Sequence, residues 1–165
     1  MRLIACADKN WGIGKGGALL VQIPQDMKYF KNTTINKVVV MGRRTLESFP
    51  GGRPLKDRVN IVLTKNADYS CDGATIVHSI DELMDAIKDY KADDVYCIGG
   101  AEVYRQLLPY CDLAYITRLD YSYEADAFLC DLGREPGWEL IGESDEETYF
   151  NIPYTFCTYR RISDI

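Results

Sequence analysis

Asp26 lies in LLVQIPQDMKYF (residues 19–30), among Leu19, Leu20, Val21, Ile23, Met27, Tyr29 and Phe30. A carboxylate in so apolar a stretch has two readings. As helix grammar, Pro24 suits a first turn, where its missing N–H is not needed. An acid just after it faces the positive end of the helix dipole. As chemistry, Asp26 and Phe30 stand four apart and share a helix face, with Met27 beside them. Asp26 therefore sits either on the rim of the core face or in a pocket.

Three further stretches carry candidate binding groups. In MGRRT (41–45) a strand ends, Gly42 allows a turn, and Arg43, Arg44 and Thr45 open a helix. That arrangement either binds phosphate, through helix amides and charge-assisted arginine bonds, or is a solvated basic surface. In IGGAEVY (98–104) a strand again runs through Gly-Gly into a helix, which is either a tight turn or a place where a ligand approaches backbone. Two such turns in one sheet, one of them basic, favour a dinucleotide across the sheet's carboxyl edge. The loop GGRPLKDR (51–58) adds two or three cations after a short helix. By contrast, GIGKGG (12–17) matches the G-x-G-x-x-G fingerprint only on paper. No long helix follows it before Pro24, and no acid ends the next strand, so a Rossmann domain is rejected. Its glycines are read as a mobile loop beside Asp26, a candidate flap.

The elements that must position these groups alternate. Strand-like runs cover 3–7, 38–41, 60–63, 75–77, 95–98 and 113–117. Ser79 and Glu82 form a capping box, followed by the helical stripe Ile80, Leu83, Met84, Ile87. Val103, Tyr104, Leu107 and Leu108 repeat that stripe before Pro109. Alternating helices and Val/Ile-rich strands predict an α/β fold with a mostly parallel sheet covered on both faces. Residues 138–144 and 154–160 read as two strands joined by an acidic loop (Asp145, Glu146, Glu147), which makes that end antiparallel.

Composition narrows the function classes. The chain has 165 residues, 47% hydrophobic and 27% charged, as expected of one domain with a substantial core. Its formal charge of −6 repels nucleic acid and anionic membranes on average, leaving room for a local anion site. Six cysteines without a C-x-x-C pair, and a single histidine, argue against a metal site. Free thiols and no visible export signal predict the cytoplasm.

Taken in order, LIACADKNWGIG, IPQDMKYFK, VVVMGRRTLESFP, RPLKDRVNIVLT, VYCIGGAEVY and ITRLDYSYEAD resemble the dihydrofolate reductase family, in its bacterial chromosomal type. The resemblance covers nearly the whole chain. It implies a single domain over residues 1–165 with a mixed, mostly parallel central sheet of about eight strands. The sheet would have an antiparallel C-terminal end and helices on both faces. It further implies a monomeric NADPH-dependent oxidoreductase that reduces dihydrofolate to tetrahydrofolate for one-carbon metabolism.

Site residues follow from the resemblance alone. Asp26 matches the carboxylate that binds the pterin's ring N–H and amino group, and Thr117 the threonine that hydrogen-bonds it; these are the catalytic pair. Met27, Phe30, Phe49 and Leu55 match the apolar walls. Arg58 matches the bidentate clamp on the substrate's α-carboxylate, with Arg53 on the same loop. The carbonyls of Ile4 and Ile98 would face the pterin. Those of Cys6 and Ile13, beside Gly14, would hold the nicotinamide carboxamide. Gly99, Gly100 and the amides of Ala101, Glu102, Val103 and Tyr104 would take the pyrophosphate, with Gly42, Arg44 and Thr45. Arg43, Thr64, Lys65 and His78 would surround the adenosine 2′-phosphate. Burial beside Met27 and Phe30 is expected to raise the Asp26 pKa by roughly one to a few units, so that it promotes protonation through water.

Three positions depart from the family pattern. Val21 stands where the family carries a water-binding tryptophan, Glu102 where a basic residue is common, and His78 where lysine is frequent. Competing readings are a riboflavin-pathway reductase on the same fold, a non-catalytic nucleotide-binding module, and a generic α/β protein. Asp26 and Arg58 favour folate over the first. Intact Asp26, Thr117 and Gly99-Gly100 disfavour the second. The ordered set of motifs disfavours the third.

Overall fold

Val38, Val39, Val40 and Met41 are all buried, so this strand is covered on both sides. Val38 and Val40 join one apolar core; Val39 and Met41 join another on the opposite face. Side chains alternate across a strand, so an unbroken apolar run is what a central strand between two layers requires.

The computed structural model describes residues 1–162. The chain begins with β1 (Arg2–Ala7), β2 (Gly12–Lys15), β3 (Ala18–Leu19) and α1 (Pro24–Thr34). It continues through β4 (Val38–Gly42), α2 (Arg43–Glu47), β5 (Val59–Leu63), β6 (Ala74–Val77) and α3 (Ile80–Ile87). Then come β7 (Val95–Gly99), α4 (Ala101–Leu107), β8 (Leu113–Leu119) and β9 (Ala127–Phe128). The last elements are β10 (Trp138–Glu143), β11 (Glu147–Tyr149) and β12 (Ile152–Arg161). The main sheet runs β10-β12-β8-β1-β7-β4-β5-β6, with β11 also paired to β12. From β6 to β8 every pairing is parallel; β12 meets β8 antiparallel, as β10 and β11 do β12. This is the mixed, mostly parallel sheet that the alternating pattern predicts.

Helices cover both faces. Residues Ile80, Leu83, Met84 and Ile87 of α3, with Val103 and Leu107 of α4, pack on the Val38–Val40 side. On the other side Leu46 of α2 packs with Val39 and Met41, and α1 lies over β8 and β12. The N-terminus of α3 is capped by Ser79 Oγ, which accepts from Glu82 N at 3.1 Å. The reciprocal half of the box is shifted by one residue: Glu82 Oε2 accepts from His78 N at 2.6 Å instead of from Ser79 N.

Two expectations change. Residues 12–17, read as a loop, lie in a hairpin of β2 and β3, and β2 also pairs with β9 in a second, three-stranded sheet. Gly16 and Gly17 take φ of 61° and 82°, which glycine adopts at little cost in a tight hairpin turn. The partner strand comes from more than a hundred residues away, which local reading of GIGKGG does not reveal. The acidic connection is also not all loop: Glu147 opens β11, which folds back on β12. The expected domain extends to residue 165; residues 163–165 lie outside the described residues.

The join between the two sheets depends on Asp8, which is fully buried. Its Oδ1 accepts from Asn10 N at 2.9 Å and Gly12 N at 2.8 Å, and its Oδ2 from Tyr123 N at 2.9 Å. One carboxylate thus ties the exit of β1 to the start of β2 and to the segment leading into β9. Beside it the Arg118 guanidinium lies 3.9 Å from the centre of the Trp11 ring, a cation–π contact, and donates to the Asp8 and Lys9 carbonyls at 3.3 Å each.

Asp8→Ala strands these three N–H groups. It is expected to lower the unfolding free energy by about 3 kcal/mol, read as a drop in urea midpoint at unchanged m-value. Asp8→Asn, which keeps one acceptor oxygen, should lose less.

Candidate active site

The helix start at Pro24 has no side-chain cap: Ile23 occupies the N-cap position. Tertiary packing fixes it there. Ile23 is 2% exposed and packs with Leu119 and Tyr154. Next to it, the Tyr154 hydroxyl donates to Gln25 Oε1 at 2.9 Å, and one turn on, Tyr29 lies against Phe156 with ring centroids 4.4 Å apart. These contacts seat the first two turns of α1 on β8 and β12. Asp26 is thereby aimed at the sheet, and Thr117 Oγ1 donates to its Oδ1 at 2.5 Å. Asp26 is thus a first-turn acid, and its side chain is turned onto the sheet.

Burial raises the Asp26 pKa above the ordinary carboxylate value, and donation from Thr117 partly offsets that rise. The carboxylate's hydrogen-bond partner belongs to the sheet: Thr117 of β8, itself 2% exposed. Met27, expected to contribute to this burial, is 51% exposed, while Phe30 is half-buried.

Further along this face, Phe49, Leu55 and Ile98 pack in one cluster with Met41, Leu46 and Val62. Asn60, buried in β5, shapes the adjoining loop: it donates to the carbonyls of Leu55 at 2.9 Å and Arg58 at 3.1 Å, and accepts from Leu55 N at 3.0 Å. Arg58 is held by its Nε on the Lys56 carbonyl at 2.9 Å and by Nη1 on Thr34 Oγ1 at 3.2 Å. Thr34 ends α1, about 12 Å from Asp26 along the helix. Arg53 on the same loop is exposed and has no such tie among the described residues.

The turns after β4 and β7 lie side by side, because those strands are neighbours in the sheet. A Cβ on Gly100 would come within 3.6 Å of Thr45 Oγ1, and one on Gly42 within 3.1 Å of Val103. Gly99, joined to Gly100 by a cis peptide, takes φ 119° and lies against Tyr104, where a side chain would meet the ring at 3.2 Å. Tyr104 is buried and its hydroxyl donates to the Ile4 carbonyl at 2.7 Å, leaving that oxygen a second lone pair. Ala101 and Glu102 open α4 from this turn.

Cations sit nearby on exposed or half-exposed side chains: Arg43, which pairs with Glu47 at 3.3 Å, Arg44 and Lys65. His78 Nδ1 lies 2.8 Å from the Thr64 carbonyl, so Nδ1 carries the proton and Nε2 remains available. Glu102, the anomalous acid, is held on its own helix by Arg105 and by Gln106 Nε2 at 3.0 Å, and these partners depress its pKa. Cys6 and Ile13 line one small pocket with Val21, and Gly14 is buried in β2 next to Ile13.

Several contributors escape a reading of the sequence. Asp8 and Asn60 look like ordinary polar residues at a strand end and a strand start. Asp8 carries a faint signal, since an acid two residues before Asn10 can form an Asx turn. The Tyr104 hydroxyl carries none, because its partner lies on a distant segment.

Comparisons with known proteins agree with this geometry. The family model described as dihydrofolate reductase matches residues 1–161. A dihydrofolate reductase of Bacillus subtilis is 35% identical over 162 residues, spanning 96% of this chain and 92% of that protein. One from Neisseria meningitidis serogroup A is 39% identical over 159 residues, with 96% of each covered. Among solved structures, Enterococcus faecalis dihydrofolate reductase complexed with NADP(H) and RAB-propyl superimposes with a TM-score of 0.86. It is 34% identical and covers 97% of this chain and 95% of its own.

A carboxyl group whose pKa is raised on folding binds more protons in the native state than in the unfolded one. Its neutral form is tolerated below the unfolded value; stability is lost as pH rises through the raised native value. Asp26→Asn is therefore expected to raise the melting temperature at neutral pH. The gain should shrink as the pH is lowered towards the ordinary carboxylate range, as thermal melts of both proteins would record.

Proposed function

The chain belongs to the dihydrofolate reductase family of NADPH-dependent oxidoreductases, and we propose that Asp26, held by Thr117, is the group on which its reduction of dihydrofolate turns. The observation that carries this reading is the 2.5 Å bond from Thr117 Oγ1 to Asp26 Oδ1. Thr117 occupies one lone pair of Oδ1 and leaves Oδ2 free to accept from a ring N–H and an amino group. Ionised, Asp26 orients a pterin by those two bonds. Neutral, it supplies the proton that the reaction requires, through water, and a raised pKa keeps that form populated closer to neutral pH.

The rest of the substrate would lie along α1. Phe30, Phe49, Leu55 and Met27 form its apolar sides, and Arg58 binds a carboxylate at the far end. The separation of about 12 Å between Asp26 and Thr34, which Arg58 touches, suits an elongated substrate with a pterin at one end and an acid at the other. This two-ended spacing favours dihydrofolate over a pyrimidine sugar.

NADPH, when bound, supplies the hydride. The residues present fit it: Gly42, Gly99 and Gly100 present backbone without side chains, next to Thr45 and Arg44. Arg43, Lys65, Thr64 and His78 would receive the 2′-phosphate, and the carbonyls of Cys6 and Ile13 the carboxamide. Glu102, tied to Arg105 and Gln106, contributes its amide rather than its charge. We take the chain to work as a single-domain monomer in the cytoplasm. Its charge of −6 opposes nucleic-acid and membrane partners, and no helix among the described residues is long and apolar enough to cross a membrane.

The purified protein is expected to oxidise NADPH only when dihydrofolate is present, as followed by NADPH absorbance. Asp26→Asn should slow hydride transfer by about a hundredfold or more near neutral pH; turnover like that of the wild type would overturn the assignment. Arg58→Leu should weaken dihydrofolate binding by about 2 kcal/mol, roughly thirtyfold, by titration calorimetry. Affinity for a pteridine lacking the glutamate tail should not change.

A further inference from the structure

Asn60 is the second residue of β5, and the sheet register sets it between Val39 of β4 and Ala74 of β6. Both neighbours belong to the apolar cluster that also holds Phe49 and Leu55, so a polar side chain stands in an apolar row. Asn60 is 3% exposed, and a buried amide is unfavourable unless its donors and acceptor are paired. Its partners lie on the loop that leads into β5. Oδ1 accepts from Leu55 N at 3.0 Å, and Nδ2 donates to the carbonyls of Leu55 at 2.9 Å and Arg58 at 3.1 Å. Only this orientation of the amide serves all three groups. The exchange with Leu55 reproduces, with a side chain, the two-way bonding of an antiparallel strand pair. It closes residues 55–60 into a ring, in which Asp57 takes φ 59° and its carbonyl accepts from Asn36 N at 2.8 Å. At one side of the ring Leu55 is anchored in the apolar cluster. At the other, the Arg58 side chain reaches α1, where Thr34 Oγ1 accepts from its Nη1 and donates to the Phe30 carbonyl at 2.8 Å. Thr34 thus fixes the tip of Arg58 and Asn60 its base.

We propose that Asn60 is a positioning residue for Arg58: its amide holds the arginine's backbone at a fixed place relative to Leu55 and the sheet, and so helps select substrates that end in a carboxylate. The inference rests on the role given above to Arg58 as the carboxylate clamp. Without the amide, the loop loses three of its hydrogen bonds, and the Arg58 backbone is no longer tied to Leu55. An arginine on a loosened loop must be ordered when the substrate binds, and that ordering lowers affinity. The loss falls on the acidic end of the substrate alone. Asp26, at the other end, is seated by Ile23, Gln25 and Thr117, none of which touches this loop.

The test measures, by titration calorimetry, the binding of dihydrofolate and of a pteridine lacking the glutamate tail. It compares wild type, Asn60→Ala, Asn60→Asp, Arg58→Leu, and an Asn60 substitution combined with Arg58→Leu. Asn60→Asp keeps the side chain's shape and the acceptor for Leu55 N while losing both donors, and it stands in if Asn60→Ala does not fold. Each Asn60 substitution is expected to weaken dihydrofolate binding about tenfold, the cost of ordering one mobile arginine, and to leave the tail-less pteridine unaffected. KM for dihydrofolate should rise by about as much while hydride transfer at saturation keeps its rate, the signature of lost ground-state binding. On the Arg58→Leu background the same substitution should cost less than about twofold, because the group it positions is gone. Equal weakening of both ligands, unchanged dihydrofolate affinity, or the full loss on the Arg58→Leu background would overturn the proposal. Unchanged dihydrofolate affinity in Arg58→Leu alone would overturn the clamp itself, and this inference with it. A loss in Arg58→Leu without one in the Asn60 variants would keep the clamp and overturn only the role of Asn60.

Discussion

The position of β8 between β1 on one side and β12 on the other is the constraint on which the rest of the site depends. Ile116 and Thr117 are adjacent, and both are buried, on opposite faces. Slipping β8 by one residue would turn Thr117 into the aliphatic core with Leu3 and Ala114 and turn Ile116 towards Asp26. Register in a sheet covered on both sides is strongly specified for this reason. The two pairings of β8 bring Cys6, Thr117 and Phe156 into one row from three different strands. α1 is then seated on that row by Ile23, Gln25 and Tyr29, and Asp26 has one direction left to point.

The same molecule holds two carboxylates in opposite ways, Asp8 fully buried and Asp26 half-buried. Asp8 is surrounded by backbone N–H groups that satisfy both of its oxygens, and it serves as a tie between the main sheet and the β2–β3–β9 sheet. Asp26 is less satisfied: it is half-buried and accepts one side-chain hydrogen bond, from Thr117. A partly paired, half-buried carboxylate is unfavourable for folding but useful for chemistry, since it offers both acceptor sites and an elevated pKa. The distinction follows from position. Asp8 sits where the chain turns back on itself and exposes amides, while Asp26 sits on a helix start whose own amides point along the axis.

Parallel strands also explain why the remaining site residues cluster. β4 and β7 are neighbours that run in the same direction, so the turns at their carboxyl ends emerge together. Gly42 and Thr45 from one turn meet Gly99 and Gly100 from the other, more than fifty residues away in the chain. The hairpin of β2 and β3 closes the opposite side, bringing Ile13 and Val21 close to Cys6. Sheet topology thus supplies two walls and a floor, and α1 the long side between Asp26 and Arg58.

Read by itself, the sequence determined the alternation of helices and strands, the doubly covered parallel sheet with an antiparallel end, the capped α3, and the identity of Asp26, Arg58 and the two glycine turns as chemically interesting. Each of these rests on local patterning, or on the order of motifs along the chain. Tertiary structure alone decided what lies between segments far apart in sequence. GIGKGG lies in a hairpin whose β2 strand pairs with the distant β9. Asp26 met the sheet's Thr117, while Met27 is exposed. Glu102 turned to Arg105 and Gln106, one turn along its own helix. Asp8 and Asn60 drew their roles from partners in turns and loops. Periodicity specifies which face of an element is buried; only strand register and helix seating specify which groups that face will meet.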